Sequence, residues 1–209
     1  MAPSEEARHI IWADCVDSTN AELRRRLTGI DNLSTLAARE QTAGRGQGDH
    51  TWYSPVGEGL TFSVLYRYGQ DGPEASQALC VTCATTLAIR DYLAGKGVEA
   101  RIKWPNDIWV GERKICGILI ENSLEDRRLK ESIVGIGLNL NCTSWPACLP
   151  NPVSLRELTG QTYEPGKELV LLHNEIRRRR AMMDSDDGRI SLQEEFRKYM
   201  FRPDEEPRP

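Results

Sequence analysis

The chain has 209 residues, 39% hydrophobic and 28% charged, which is the size and composition of one folded domain with a sizeable core. Its 27 Lys plus Arg against 31 Asp plus Glu leave a net charge of −4, without the basic footprint that nonspecific nucleic-acid binding needs. No apolar run approaches the roughly 18–20 residues that span a bilayer, and the N-terminus has no basic-then-apolar signal, so no membrane partner and a cytoplasmic location are expected.

In chain order, residues 9–15 predict a short strand. Asp17-Ser18-Thr19-Asn20 then precede Ala21, Leu23 and Leu27 at helical spacing, and a hydroxyl or carboxylate before such a run is a good N-cap. A turn at Asp31-Asn32 leads to a strand over residues 33–39 and a polar, glycine-bearing stretch over 40–59. Residues 61–66 alternate, with Phe62, Val64 and Tyr66 on one face of a strand. Pro73 opens a helix predicted to run to Ala94 and stop at Gly95-Lys96-Gly97.

Residues 98–104 predict a strand ending at Pro105, and 108–110 and 114–121 a hairpin turning at Gly111-Glu112. Residues 132–140 read as a strand containing Gly135 and Gly137, and glycine inside a strand often marks close approach of a ligand or another backbone. A proline-bearing loop over 142–152 precedes Ser154 and Glu157, which fit a capping box. Leu169, Leu172 and Ile176 form a helical stripe that ends in Arg177-Arg178-Arg179-Arg180, cations that suit a helix C-terminus and read as a solvated face rather than an anion or partner site. Residues 202–209 are charged and proline-rich and are expected to fray. Hairpin-like connections favour an α+β fold, a mixed, largely antiparallel sheet flanked by helices, over a doubly wound parallel one.

The six cysteines show no paired metal-ligand spacing. Cys80 and Cys83 sit in an apolar run and read as a buried helix face rather than a redox or zinc pair. With three histidines scattered at positions 9, 50 and 173, zinc is not expected.

Four constellations could carry chemistry. The loop from Gln41 to Trp52 alternates Gly44, Gly46 and Gly48 around Arg45 and Gln47; its backbone N–H groups and the Arg45 guanidinium could grip an anion, or it could be a plain surface loop. Lys103-Trp104-Pro105-Asn106-Asp107 delivers a cation, an aromatic and a proline-fixed polar turn from a strand end, as a reactive site or as a salt-bridged turn. Lys114 begins a strand in which Gly117 leaves room beside it, although a lone lysine there is ordinarily solvated. The run from Val134 to Asn141 carries Gly135, Gly137 and Asn139, and its glycines read equally as tight sheet packing or as the floor under a flat ligand.

Taken together and in this order, the four resemble the bacterial biotin protein ligases, the biotin–[acetyl-CoA-carboxylase] ligases, in their monofunctional form without a DNA-binding domain. The matching residues are Asp17-Ser18-Thr19-Asn20, Gln41 with Ala43-Gly44-Arg45-Gly46, Trp52-Tyr53-Ser54-Pro55, Lys103-Trp104-Pro105-Asn106-Asp107, Lys114 with Gly117-Ile118-Leu119, and Gly135-Ile136-Gly137-Leu138-Asn139. The likeness is close over residues 10–141 and loose over the helices that follow.

The resemblance implies a fold similar to class II aminoacyl-tRNA synthetase cores and a two-step reaction. Biotin and MgATP give biotinyl-5′-AMP and pyrophosphate, and a lysine of a biotin carboxyl carrier domain then takes the biotin and releases AMP. It implies catalytic roles for Arg45, Lys114, Asn106 and Asp107. Ser18, Thr19 and Gln41 would hold the ureido ring, Gly117, Gly135 and Gly137 would let the ring and its chain pack closely, and Asn20 and Asn139 would belong to the same binding site. The loop residues Gly44, Arg45, Gly46 and Gln47 would lie near the adenylate, Trp52 over adenine, and Arg45 and Lys114 on opposite sides of the two anions, with Lys103 a further binding cation. Mg2+ is expected with ATP; its protein ligands are not identified, nor is an oligomer excluded.

The loop departs from the family's usual Gly-Arg-Gly-Arg-x-x-Arg-x-Trp: Gln47 replaces the second arginine, His50 the third, and Asp49 adds a negative charge. A leakier adenylate is the expected result. Residues 1–200 are expected to form the catalytic domain, with 201–209 as a tail or the start of a curtailed C-terminal domain. About nine residues ahead of the first strand leave no room for a winged helix-turn-helix. Two rival readings are a lipoate or octanoate transfer enzyme of the same superfamily, which lacks the pairing of this glycine loop with Lys103–Asp107, and a non-catalytic biotin-binding module.

Overall fold

A computed structural model describes residues 9–69 and 72–201. The strands are β1 (Ile10–Val16), β2 (Thr35–Gln41), β3 (Gly59–Arg67), β4 (Arg101–Lys103), β5 (Asp107–Val110), β6 (Arg113–Glu125) and β7 (Arg128–Asn139). The helices are α1 (Thr19–Arg25), α2 (Leu79–Gly95), α3 (Leu155–Thr159), α4 (Pro165–Ala181) and α5 (Asp186–Tyr199). All seven strands join one sheet in the order β1-β2-β3-β7-β6-β5-β4, parallel only between β1 and β2. The expected α+β architecture is therefore present.

Alternation along the strands sorts the sheet into two faces. Phe62, Val64, Ile102, Ile108, Val134, Ile136 and Leu138 point to one side and pack with Leu87, Leu172, Ile176 and Phe196 of α2, α4 and α5 as the main core. On the other side α1 covers only one end, through Leu23 against Leu36, Leu65 and Ile133. The rest of that face carries Thr61, Asp107, Trp109, Gly117, Leu119, Gly135, Gly137 and Asn139 and is left for the cavity described below.

Several expectations are refined. Residues 61–66 are buried on both faces, because α1 covers Ser63 and Leu65 while the main core covers Phe62, Val64 and Tyr66. The helix expected from Pro73 starts later. A 3-10 turn at Ala75–Gln77 comes first, closed by reciprocal bonds between Glu74 and Gln77, and α2 follows. The strand expected over 98–104 shortens to β4, because Val98 N–H still reaches back to the Leu93 carbonyl at 3.0 Å while leaving the helix. The Ser154–Glu157 capping box forms as expected.

The arginine run is a solvated face only in its first half: Arg177 and Arg178 are exposed, as expected, whereas the last two are buried. Arg179 and Arg180 are each only 6% exposed. Arg179 bonds Asp91 of α2 and Glu195 of α5 and so ties three helices together, while Arg180 bonds Asp184 just beyond its own helix and the Arg67 carbonyl of β3. Cys80 and Cys83 are buried on α2 as expected, and burial pushes the Cys83 thiol up to about 12. Among the described residues no helix is long and apolar enough to cross a membrane. The fraying expected of residues 202–209 falls outside the described residues.

Candidate active site

The uncovered sheet face forms the floor of a cavity of about 740 Å3. Its floor is glycine because protein side chains lie directly on it. A Cβ at Gly137 would stand 2.2 Å from Trp52 Cε2, and one at Gly117 would stand 2.8 Å from Trp52 Cζ3. A Cβ at Gly135 would stand 2.3 Å from Asn20 Oδ1. Sequence reasoning left open tight packing or a ligand floor; the flat group over Gly117 and Gly137 is the chain's own Trp52 indole.

One end of the cavity is a hydrogen-bonded cluster at the start of α1. Ser18 occupies the N-cap position but makes no capping bond through its side chain; Asp17 Oδ1 accepts the Ser18 N–H instead, and Ser18 lines the cavity. Thr19 N–H donates to Gln41 Oε1 at 2.8 Å, which orients the Gln41 amide. Ser63 Oγ lies 2.6 Å from Asn20 Oδ1 and 2.8 Å from Thr19 Oγ1. The Asn20 amide nitrogen donates to the Leu119 carbonyl and to Glu121 Oε2 at 3.0 Å. Buried polar groups need such partners, and Thr19 and Asn20 are nearly inaccessible to solvent.

The glycine loop is a small ordered hairpin. Gly46 N–H donates to His50 O at 2.7 Å, Trp52 N–H to Gly44 O at 2.9 Å, and Arg45 bridges to Thr51. Gly44 lies behind the hairpin, where a Cβ would meet Trp52 O at 2.5 Å; Arg45, Gly46, Gln47 and His50 face the cavity. Arg45 Nη1 lies 3.3 Å from Glu121 Oε1.

Two more cations enter from the opposite side. Lys114 Nζ is 2.8 Å from Asp107 Oδ2, and both side chains are partly accessible. Lys114 is therefore not the free solvated lysine that its position suggests. Lys103 Nζ sits 3.7 Å above the Trp109 ring, a cation–π contact. The turn between β4 and β5, with a cis Trp104–Pro105 bond, is clamped to β6: Asn106 Nδ2 donates to Ile118 O, and Ile118 N–H donates to Asn106 O at 3.1 Å. Asn139 Nδ2 donates to the Lys114 and Val153 carbonyls at 3.2 and 3.1 Å, so this side chain holds the strand that carries Lys114. Trp104 turns outward and is 57% exposed.

The fold thus gathers every predicted site residue around one cavity, except that Gly44 supports it from behind. Sequence reasoning missed Trp109 and the wall formed by Trp145, Leu149 and Pro152 in the lining, and Glu121, which bonds the lining residues Asn20 and Arg45. Glu121 and Trp109 were reachable by counting in twos from Gly117 and Asp107, which puts them on the same sheet face. The wall carries no periodic signal.

Comparison with known proteins places these features in context. A family model described as the biotin/lipoate A/B protein ligase family matches residues 12–139. The chain is 35% identical over 177 residues to a biotin–[acetyl-CoA-carboxylase] ligase of Paracoccus denitrificans, covering 81% of this chain and 72% of that one. It is 33% identical over 135 residues to the bifunctional ligase/repressor BirA of Bacillus spizizenii, 64% of this chain but only 41% of that protein. The structure is similar to biotin protein ligase from Aquifex aeolicus in complex with biotin and ATP, with a TM-score of 0.76, 26% identity, and coverage of 92% of this chain and 78% of that one. It is also similar to the Leishmania major ligase in complex with biotin, with a TM-score of 0.71, 26% identity, and coverage of 96% and 84%.

Proposed function

The chain belongs to the biotin/lipoate A/B protein ligase family, and on that premise we propose that it activates biotin with ATP and transfers it to a carrier-domain lysine. The observation that carries this reading is one cavity lined both by the neutral hydrogen-bonding groups of Ser18, Thr19 and Gln41 and by three cations, Arg45, Lys103 and Lys114. Such a cavity suits a ligand that is an uncharged ring at one end and an anion at the other, met by a second anion.

In the first step a biotin carboxylate oxygen attacks the α-phosphorus of ATP, the bond to pyrophosphate breaks, and the acyl adenylate forms. Two anions must approach each other, so the barrier is largely electrostatic and fixed cations lower it. Lys114 and Arg45 flank the cavity and are assigned this role, each arriving with its own counter-carboxylate, Asp107 and Glu121. In the second step the carrier lysine amine attacks the acyl carbon, AMP leaves, and the amine gives up a proton. Asp107 is assigned the orientation of that amine. Asn106 and Asn139 hold the turn and the strand that present Asp107 and Lys114. Mg2+ is assigned to the ATP phosphates. Residues 1–200 are assigned as the catalytic unit and the cytoplasm as its location.

The test is pyrophosphate exchange with biotin and then with lipoate, followed by transfer to a biotin carboxyl carrier domain. Exchange with biotin alone, followed by transfer, supports the proposal. Exchange driven by lipoate, or biotin binding without exchange, overturns it. Lys114→Ala should cut exchange by about 100-fold or more, the scale for losing a charge-stabilising donor; full retained exchange would refute its assignment.

A further inference from the structure

Glu121 on β6 is the counter-carboxylate of Arg45, and it also links Arg45 to the Asn20 cluster. Its Oε2 accepts from Asn20 Nδ2 at 3.0 Å and lies 3.5 Å from Arg24 Nη2, while its Oε1 lies 3.3 Å from Arg45 Nη1. Asn20 is itself held by Ser63 Oγ and by the Leu119 carbonyl, and it fills the space that a side chain at Gly135 would occupy. Ser63 reaches Thr19, and Thr19 N–H fixes Gln41. A continuous hydrogen-bonded path therefore runs from Gln41 through Thr19, Ser63, Asn20 and Glu121 to Arg45.

The geometry of the last link is informative. A carboxylate that saturates an arginine grips it twice at short range, as Asp17 does with Arg25 on the surface, at 2.6 and 3.0 Å. Glu121 holds Arg45 through one N–H at 3.3 Å, which among the described residues is the only side-chain bond of the guanidinium. That is a tether: it restricts where the guanidinium points and leaves its other donors for an incoming anion. The carboxylate cannot follow Arg45 outward, because its other oxygen is anchored on Asn20.

We propose that Glu121 is a positioning residue that aims Arg45 at the reacting anions and ties that aim to the Asn20 cluster at the ring-binding end. The inference rests on the proposed biotin-and-ATP chemistry. Its test uses Glu121→Gln, Glu121→Ala, Arg45→Gln and the Glu121→Gln/Arg45→Gln double variant. Biotin binding is measured by calorimetry without ATP, and kcat and KM by pyrophosphate exchange. Glutamine keeps an acceptor for Asn20 but loses the ionic tether. Glu121→Gln should leave biotin affinity within about twofold and lower exchange kcat by about tenfold, a modest share of what misplacing a reacting group can cost. Glu121→Ala should also weaken biotin binding about tenfold, the effect of losing one hydrogen bond to a charged group. In the Arg45→Gln background, Glu121→Gln should cost nothing further, the coupling expected of residues that act as a unit.

Unchanged kcat in Glu121→Gln, losses that multiply in the double variant, or equal biotin binding in the Gln and Ala variants would each overturn the proposal. Absent exchange in the wild-type chain would instead defeat the biotin-ligase reading. In that case the binding contrast between the Gln and Ala variants still decides the Asn20 link: a contrast supports it, and no contrast refutes it.

Discussion

Gly137→Ala adds one methyl group at the centre of the cavity floor, and the structure sets the size of the effect. The new Cβ would lie 2.2 Å from Trp52 Cε2, 2.4 Å from Nε1 and 2.7 Å from Cζ2. Carbon atoms in contact prefer about 3.5–4.0 Å, so the indole must retreat by roughly 1.3 Å or more. It cannot do so by a small rotation, because three atoms of a rigid ring meet the methyl at once. The Trp52 backbone is also fixed, its N–H bonded to Gly44 O at 2.9 Å. The retreat therefore moves the indole into the cavity or shifts the hairpin that carries Arg45. Displacements of about 1 Å near reacting groups can cost about 100-fold in rate, whereas overpacking at one site costs only about 1–3 kcal/mol of stability. Gly137→Ala should thus lose biotin-dependent pyrophosphate exchange by about 100-fold while remaining folded in a thermal melt. Gly95→Ala is the control: it ends α2, meets nothing within 4 Å, and should gain up to about 1 kcal/mol with full activity. In a Trp52→Ala background, Gly137→Ala should cost little more. Wild-type exchange in Gly137→Ala, or an undiminished loss without the indole, would refute the reasoning.

Three further outcomes follow from particular residues. Gln47→Arg restores a cation beside Arg45 on the cavity rim and should slow release of biotinyl-AMP by about tenfold, read by trapping free adenylate; an unchanged release rate counts against the leaky-loop reading. His173 is buried with Nδ1 2.9 Å from Thr35 Oγ1, and burial lowers its pKa from 6.5 to about 4. The unfolded chain therefore takes up this proton first, and the contribution to stability is full above about pH 6.5 and is lost as pH falls towards 4, up to about 3 kcal/mol in all. Urea unfolding at pH 7 and pH 5 should show this loss, and His173→Gln should flatten it; parallel pH slopes would exclude His173 as the cause. Arg179→Met leaves Asp91 and Glu195 without their shared cation between α2, α4 and α5 and should cost about 3–5 kcal/mol in denaturant unfolding; a cost below about 1 kcal/mol would mean that the pair behaves as a surface bridge.

The legible part of this protein was local. Strand alternation, the Ser154–Glu157 cap, the stop after α2 and the buried Cys80–Cys83 face depend on neighbours a few residues apart, so they could be read from the chain. The candidate site residues that line the one cavity could likewise be picked out, because Lys103–Asp107, Lys114 with Gly117, and the glycine loop are short runs with distinctive chemistry. Pairing across the fold was not legible. Nothing near Arg179 in the sequence names Asp91 or Glu195, and Arg179 reads as solvated, like the exposed Arg177 and Arg178 beside it, until α2 and α5 close over it.

The division is sharpest at the cavity floor. The residue types alone determined that something must come close to Gly117, Gly135 and Gly137, since a strand places such residues on one face and glycine leaves that face bare. Only the tertiary structure decided what comes close: Trp52, from a loop more than sixty residues earlier, and Asn20, from the first helix. The physical reason is that a missing Cβ specifies a space, whereas its occupant is set by which distant segments the sheet order β3-β7-β6 brings over it.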